Sequence, residues 1–148
     1  MQINRLSLKN VLAIAICFAG VMMFSGCEVI YEEEEIIIPT SYFTNSGSGS
    51  QTGVVSGENI VAKVQGSGSL TLSGTCNFAE ITVQSSGSFI GSDLEIKNAE
   101  VNNLGSGSTY IWVTDGLSVN IQGSGNVYYK GNPRISSNIQ GSGKLIKL

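Results

Sequence analysis

The chain predicts an all-β fold, a short parallel β-helix (β-solenoid) of about five coils with one Gly-Ser-Gly corner per coil. Three observations carry this. Gly-Ser-Gly recurs at 47–49, 66–68, 105–107, 123–125 and 141–143, with Ser85-Ser86-Gly87 filling the gap, so the units begin 19, 19, 20, 18 and 18 residues apart. Each unit is entered by alternating residues: Ile60, Ala62 and Val64; Ala79, Ile81 and Val83; Leu117, Val119 and Ile121. Alternation with period two marks a strand with one buried face. After residue 26 no stretch carries the apolar period of a long helix.

In chain order, residues 1–26 read as a removable signal. Arg5 and Lys9 form a positive start, Val11 to Phe24 form a 14-residue apolar stretch, and Ser25-Gly26 place small residues directly before Cys27. A membrane-spanning helix needs about 20 apolar residues, more than this run supplies. The segment resembles a bacterial lipoprotein signal with its lipobox, although Phe24 stands where leucine is usual. That resemblance implies cleavage before Cys27 and acylation of its thiol and new amino terminus, so that a membrane is the first partner. Residues 27–35 then form an acidic tether: Glu28 and the run Glu32 to Glu35 repel one another and keep it extended. An acidic run here also resembles the signal by which Bacteroidota lipoproteins reach the outer face of the outer membrane.

Residues 36–148 form the β-helix domain, with 36–45 as its N-terminal cap. A solenoid exposes an apolar cross-section at each end, so Ile36 to Ile38 and Tyr42-Phe43 are expected to pack over or pair with the first coil, with Pro39 stopping further extension. At the far end Lys144 and Lys147 blunt the last strand by charge. Within each coil, glycine lets successive corners approach closely, and the serines between the glycines stack into a column. The longest unit places Asn103 where its neighbours have Val83 and Ile121, with Leu104 one residue late. Burying Asn103 unpaired would cost about 1–3 kcal/mol, which predicts a β-bulge at 102–103 that returns Leu104 to the core.

Composition excludes several classes of function. From Ile36 onward six basic residues face six acidic ones, with no basic stripe for phosphates, which argues against nucleic-acid binding. Beyond Cys27 the sole cysteine is Cys76, which suits a small buried position, and the chain has no histidine to activate it. Asp93 and Glu95 share a strand face and could pair as acid and base, but a solvated strip with Lys97 is the simpler reading. Serine occupies the place where a calcium β-roll needs aspartate, and no phosphate loop follows any glycine run. No catalytic residue, metal or cofactor is therefore expected.

The stretch Asn126-Val127-Tyr128-Tyr129-Lys130-Gly131-Asn132-Pro133, followed by Ile135 and closing in Gly141-Ser142-Gly143-Lys144-Leu145, resembles the C-terminal end of the head GIN domain family of autotransporter adhesin heads. The Gly-Ser-Gly units upstream are similar to that family too, over residues 46–148. The resemblance implies a right-handed parallel β-helix, and a secreted or lipid-anchored protein of the kind Bacteroidota carry. It implies no catalytic residues. Family members usually have a longer strand-rich segment before the glycine units, where this chain has only Ile36 to Asn45.

One surface feature remains. If Ile111 and Val113 point inward, then Tyr110 and Trp112 point outward, and one coil on Tyr128 joins them in a patch. Exposed aromatics bind sugar rings or anchor a partner's side chains. The opposite register buries Trp112, and the high average burial of large aromatics favours that alternative. The function expected is a lipid-anchored envelope module, structural or adhesive and non-catalytic. The alternatives are a carbohydrate-binding component of a surface glycan-handling complex, and a degenerate β-helix polysaccharide enzyme. A glycan or an envelope protein is the partner expected besides the membrane, and the sequence leaves the oligomeric state open.

Overall fold

Eight strands run in chain order: β1 Thr40–Asn45, β2 Gln51–Val64, β3 Leu70–Val83, β4 Phe89–Asn103, β5 Thr109–Ile121, β6 Val127–Lys130, β7 Arg134–Ile139 and β8 Leu145–Lys147. The computed structural model describes residues 40–148. The expected signal segment, Cys27, the acidic tether and Ile36 to Pro39 all lie outside the described residues.

Every pairing is parallel. The order is β1-β2-β3-β4-β5-β6-β8, with β7 also on β5, because the coil beyond β5 is broken at Gly131-Asn132-Pro133 into β6 and β7. The result is a β-solenoid of about six turns, one more than the repeat count suggested. Each coil is a long bent strand that closes at its Gly/Ser corner. The bends use glycine at positive φ, 70° at Gly57, 112° at Gly74 and 107° at Gly131, where other residues are strained.

Period-two alternation becomes vertical columns, because a parallel ladder sets equivalent residues directly above one another. Ile60, Ala79, Ala99 and Leu117 form one interior column, and Ala62, Ile81, Val101 and Val119 form the next. Their side chains are buried, and with Leu70, Leu72, Phe89, Leu94, Ile96 and Ile111 they fill a single continuous core. At the N-terminal end Phe43 of β1 packs against this core opposite Ala62.

The corners explain the glycines. The third corner residue of each coil donates its N–H to the carbonyl of the first corner residue below, from Gly68 to Gly47 at 3.1 Å through Gly143 to Gly123 at 3.3 Å. At this spacing there is no room for side chains: a Cβ on Gly107 would stand 1.7 Å from the Gly87 oxygen. Ser85, which replaces a glycine in the column of first residues, turns its hydroxyl onto the Gly66 carbonyl.

The expected bulge at 102–103 is not there, and its absence corrects the reading of the longest unit. Asn102 and Asn103 stay in register with Asn120 and Ile121; Asn103 points inward at 0% exposure and Leu104 is 40% exposed. Half of the amide is paired: Asn103 Nδ2 donates to the Gly107 carbonyl at 2.8 Å and braces the corner from within. Asn45 braces the first corner in the same way, donating to the Gly49 carbonyl at 2.7 Å. The register shifts lie away from the corner: the larger between Gly91, opposite Ile111, and Glu95, opposite Trp112, with Leu94 still buried, and a second between Ile96 and Asn98.

The C-terminal end is a step. β8 covers β6, whereas β7 pairs with β5 alone among the described strands, and all six of its residues are exposed. Lys147 falls in an interior column opposite Tyr129, but its ammonium leaves that column and donates to Asn132 Oδ1 at 2.7 Å.

Candidate functional site

The register that would bury Trp112 is not adopted. Ile111 and Val113 are inward and buried, so Tyr110 and Trp112 face outward, and Tyr128 follows Tyr110 one coil on. The compact branched residues suit the narrow interior. The aromatics lie half-buried in two outward columns instead.

In the first column Tyr110 and Tyr128 are stacked, with ring centroids 4.7 Å apart and planes inclined by 7°. This is the spacing of adjacent coils. Ile90 stands on the far side of Tyr110 and Ile146 on the far side of Tyr128, so the column is an aromatic pair between two aliphatic ends. In the second column Trp112 lies between Glu95 and Lys130, and the Lys130 ammonium sits 4.0 Å from the centre of the Trp112 ring. Asn126 Nδ2 donates to the Tyr128 hydroxyl at 3.3 Å.

This geometry limits what the patch can do. The facing rings of Tyr110 and Tyr128 are occupied by each other, and one Trp112 face is taken by Lys130. What the strip offers a ligand is ring edges, two phenol hydroxyls and the lysine, held in place by stacking.

A third outward column escaped the sequence reading. Asn138 donates to Asn120 and Asn120 to Asn102, each at 3.4 Å, and Asn102 reaches Glu100 at 3.4 Å. The signal was present as Asn at the equivalent place in three successive units, and stacked asparagines are a known device for joining parallel strands.

Asp93 and Glu95 both face outward, flanking the buried Leu94. Among the described residues no group of three His, Cys, Asp or Glu side chains could hold a metal ion. Cys76 is buried in the core, and burial pushes its thiol up to about 11.

A stack of parallel coils with a lateral strip of aromatics defines a repeat-built β-solenoid. Residues 15–133 match the family model "Putative auto-transporter adhesin, head GIN domain", and the chain belongs to that family. The family is an adhesin head domain, which points to the cell surface or envelope. No curated protein and no solved structure matches the chain.

Proposed function

We propose that this chain is a non-catalytic adhesive or structural module of the cell envelope, tethered to the outer membrane through a lipid on Cys27 and making contact through Tyr110, Trp112 and Tyr128. The carrying observation is the stacked strip on a domain of the adhesin-head family. Side chains already locked by stacking have little rotamer freedom left to lose when a ligand arrives. The mixture of ring edges, phenol hydroxyls and one cation suits a sugar, or the apolar segment of an envelope protein.

Two measurements test this. Cells fed a labelled fatty acid should incorporate it into the wild-type protein and not into Cys27→Ala; label retained in the variant would refute the anchor. Binding to a glycan array or to an extract of envelope proteins should fall at least tenfold in Trp112→Ala with the circular dichroism spectrum unchanged. Binding that survives in both Trp112→Ala and Tyr128→Ala would place the contact surface elsewhere.

A further inference from the structure

The aromatic strip presents donors to the solvent. A stacked ring keeps its electron-rich face for its neighbour and turns outward its edge, which carries partial positive charge. Tyr110 and Tyr128 stack on each other at 4.7 Å, and the Lys130 ammonium covers one face of Trp112 at 4.0 Å. Their far sides look towards Ile90, Ile146 and Glu95 of the neighbouring coils. The faces on which a neutral sugar ring would lie are therefore in use.

The Tyr128 hydroxyl is set to donate. Asn126 Nδ2 donates to its oxygen at 3.3 Å, and Asn126 Oδ1 accepts the Lys144 N–H at 2.9 Å, which fixes the end of the amide that faces the tyrosine. A hydroxyl oxygen that already accepts keeps its own proton for a partner outside the protein. Lys130 is two residues further along β6, on the same face and about 7 Å on. Lys147 brings a second ammonium to the bend just beyond, held at 2.7 Å by Asn132 Oδ1. A ring and an amide oxygen hold these two cations, and neither partner cancels the charge it holds.

Charge around the strip is polarised. After Asp115 every charged side chain is a cation, Lys130, Arg134, Lys144 and Lys147, whereas Glu95 stands on the other side of Trp112. An anion is drawn to the Lys130 side and repelled from the Glu95 side. The backbone beneath is already spent, since β5 and β6 each pair with strands on both sides, so a peptide cannot join here as a further strand. The ligand must be read through its side groups. A unit that carries hydroxyls and a negative charge together meets the phenols and the ammonium groups at once.

Resting on the reading of this strip as the contact surface, we propose that its ligand is an acidic polysaccharide, a chain of uronate-type sugars whose carboxylates meet Lys130 and Lys147 and whose hydroxyls pair with Tyr128 and Tyr110. The stacked rings act as a rigid spacer that holds the donors apart, and the sugar lies against their edges.

The experiment is affinity electrophoresis of the full chain through gels holding polygalacturonate, dextran or poly-glutamate, which present acidic sugar, neutral sugar and charge without sugar. Polygalacturonate should bind about tenfold more tightly than either of the others. Lys130→Met should weaken that binding about tenfold, and Tyr128→Phe, which keeps the ring and its stack, about fivefold. Glu95→Gln should tighten it, and Lys63→Met, at an exposed lysine in the column of Asn102, should leave it unchanged. Dextran bound as tightly as polygalacturonate, with both lost in Trp112→Ala, would overturn the acidic ligand and leave the strip as the contact surface. Poly-glutamate bound as tightly would assign the site to charge alone and overturn the proposal, as would no retardation by any of the three. Polygalacturonate binding that survives Lys130→Met, Tyr128→Phe and Trp112→Ala alike would overturn the strip itself.

Discussion

Asn103 reaches across its own corner to the carbonyl of Gly107, 2.8 Å away, from a side chain with no exposure to solvent. Its other side-chain atom, Oδ1, has no partner among the described residues, nor has the hydroxyl oxygen of the buried Thr109 that follows the same corner. The bond thus closes the corner and holds a polar group within the core. Asn103→Ala should lose about 1–3 kcal/mol of stability in urea titration. Asn103→Asp should lose more at neutral pH, because a buried carboxylate would face the Gly107 carbonyl. Its folded-state pKa would be raised, so the added loss should shrink as the pH falls through that raised value. Equal losses in the two variants at pH 7 would show that the amide is not the brace.

The corner glycines offer a matched pair. A Cβ on Gly107 would meet the Gly87 carbonyl oxygen at 1.7 Å, whereas one on Gly49, at the same place in the first described corner, would have nothing within 4 Å among the described residues. Gly107→Ala should cost about 3 kcal/mol or more, and Gly49→Ala should stay within about 0.5 kcal/mol of wild type. Thermal unfolding of the two proteins decides it. Similar melting temperatures would mean that the corners tolerate displacement.

Cys76 should be silent while the coils are closed. Its thiol, raised from 9.0 to about 11 by desolvation, is neutral at physiological pH and buried in the core. Iodoacetamide at pH 8 should label it only as fast as the structure opens, and in full once urea unfolds it. Because the folded-state value lies above the unfolded one, this contribution to stability is complete below pH 9 and is lost as the pH rises from 9 towards 11. Rapid labelling of the native protein would contradict the closed core.

Tyr110 and Tyr128 should be coupled. In a double-mutant cycle, the variant carrying both Tyr110→Ala and Tyr128→Ala should lose about 0.5–1.5 kcal/mol less than the sum of the two single losses. Loss of Lys130 should shift the fluorescence of Trp112, the chain's one tryptophan, by removing the charge 4.0 Å from its ring. A cycle that closes to zero would mean that the rings merely lie near each other.

The parts of this fold that repeat were legible in the residues. Ile60, Ala62 and Val64 and their successors announced the interior columns because every coil poses the same packing problem, and the glycines announced the corners because every corner meets the coil below. What was missed lies where one coil answers that problem differently. Asn103 looked misplaced because its partner is a backbone carbonyl, which no pattern of side chains reveals; the shared spacing Asn45 to Gly49 and Asn103 to Gly107 was the available clue. Trp112 was ambiguous because a half-buried aromatic fits either face, and the lysine that covers it belongs to the following coil. The extra length of β4 was assigned to the wrong end because a corner glycine marks where a coil closes and says nothing of where the added residues sit.

The corner bonds also determine how the domain yields to tension. Hydrogen bonds between coils run along the stack, so a pull between Thr40 and the last coil loads each interface as a zipper, one bond after another, rather than shearing a whole ladder at once. Coils would leave in sequence, each releasing about 60 Å of chain at ~3.4 Å per residue. A domain built this way lengthens stepwise under load, while the coils not yet reached keep their outward strip intact.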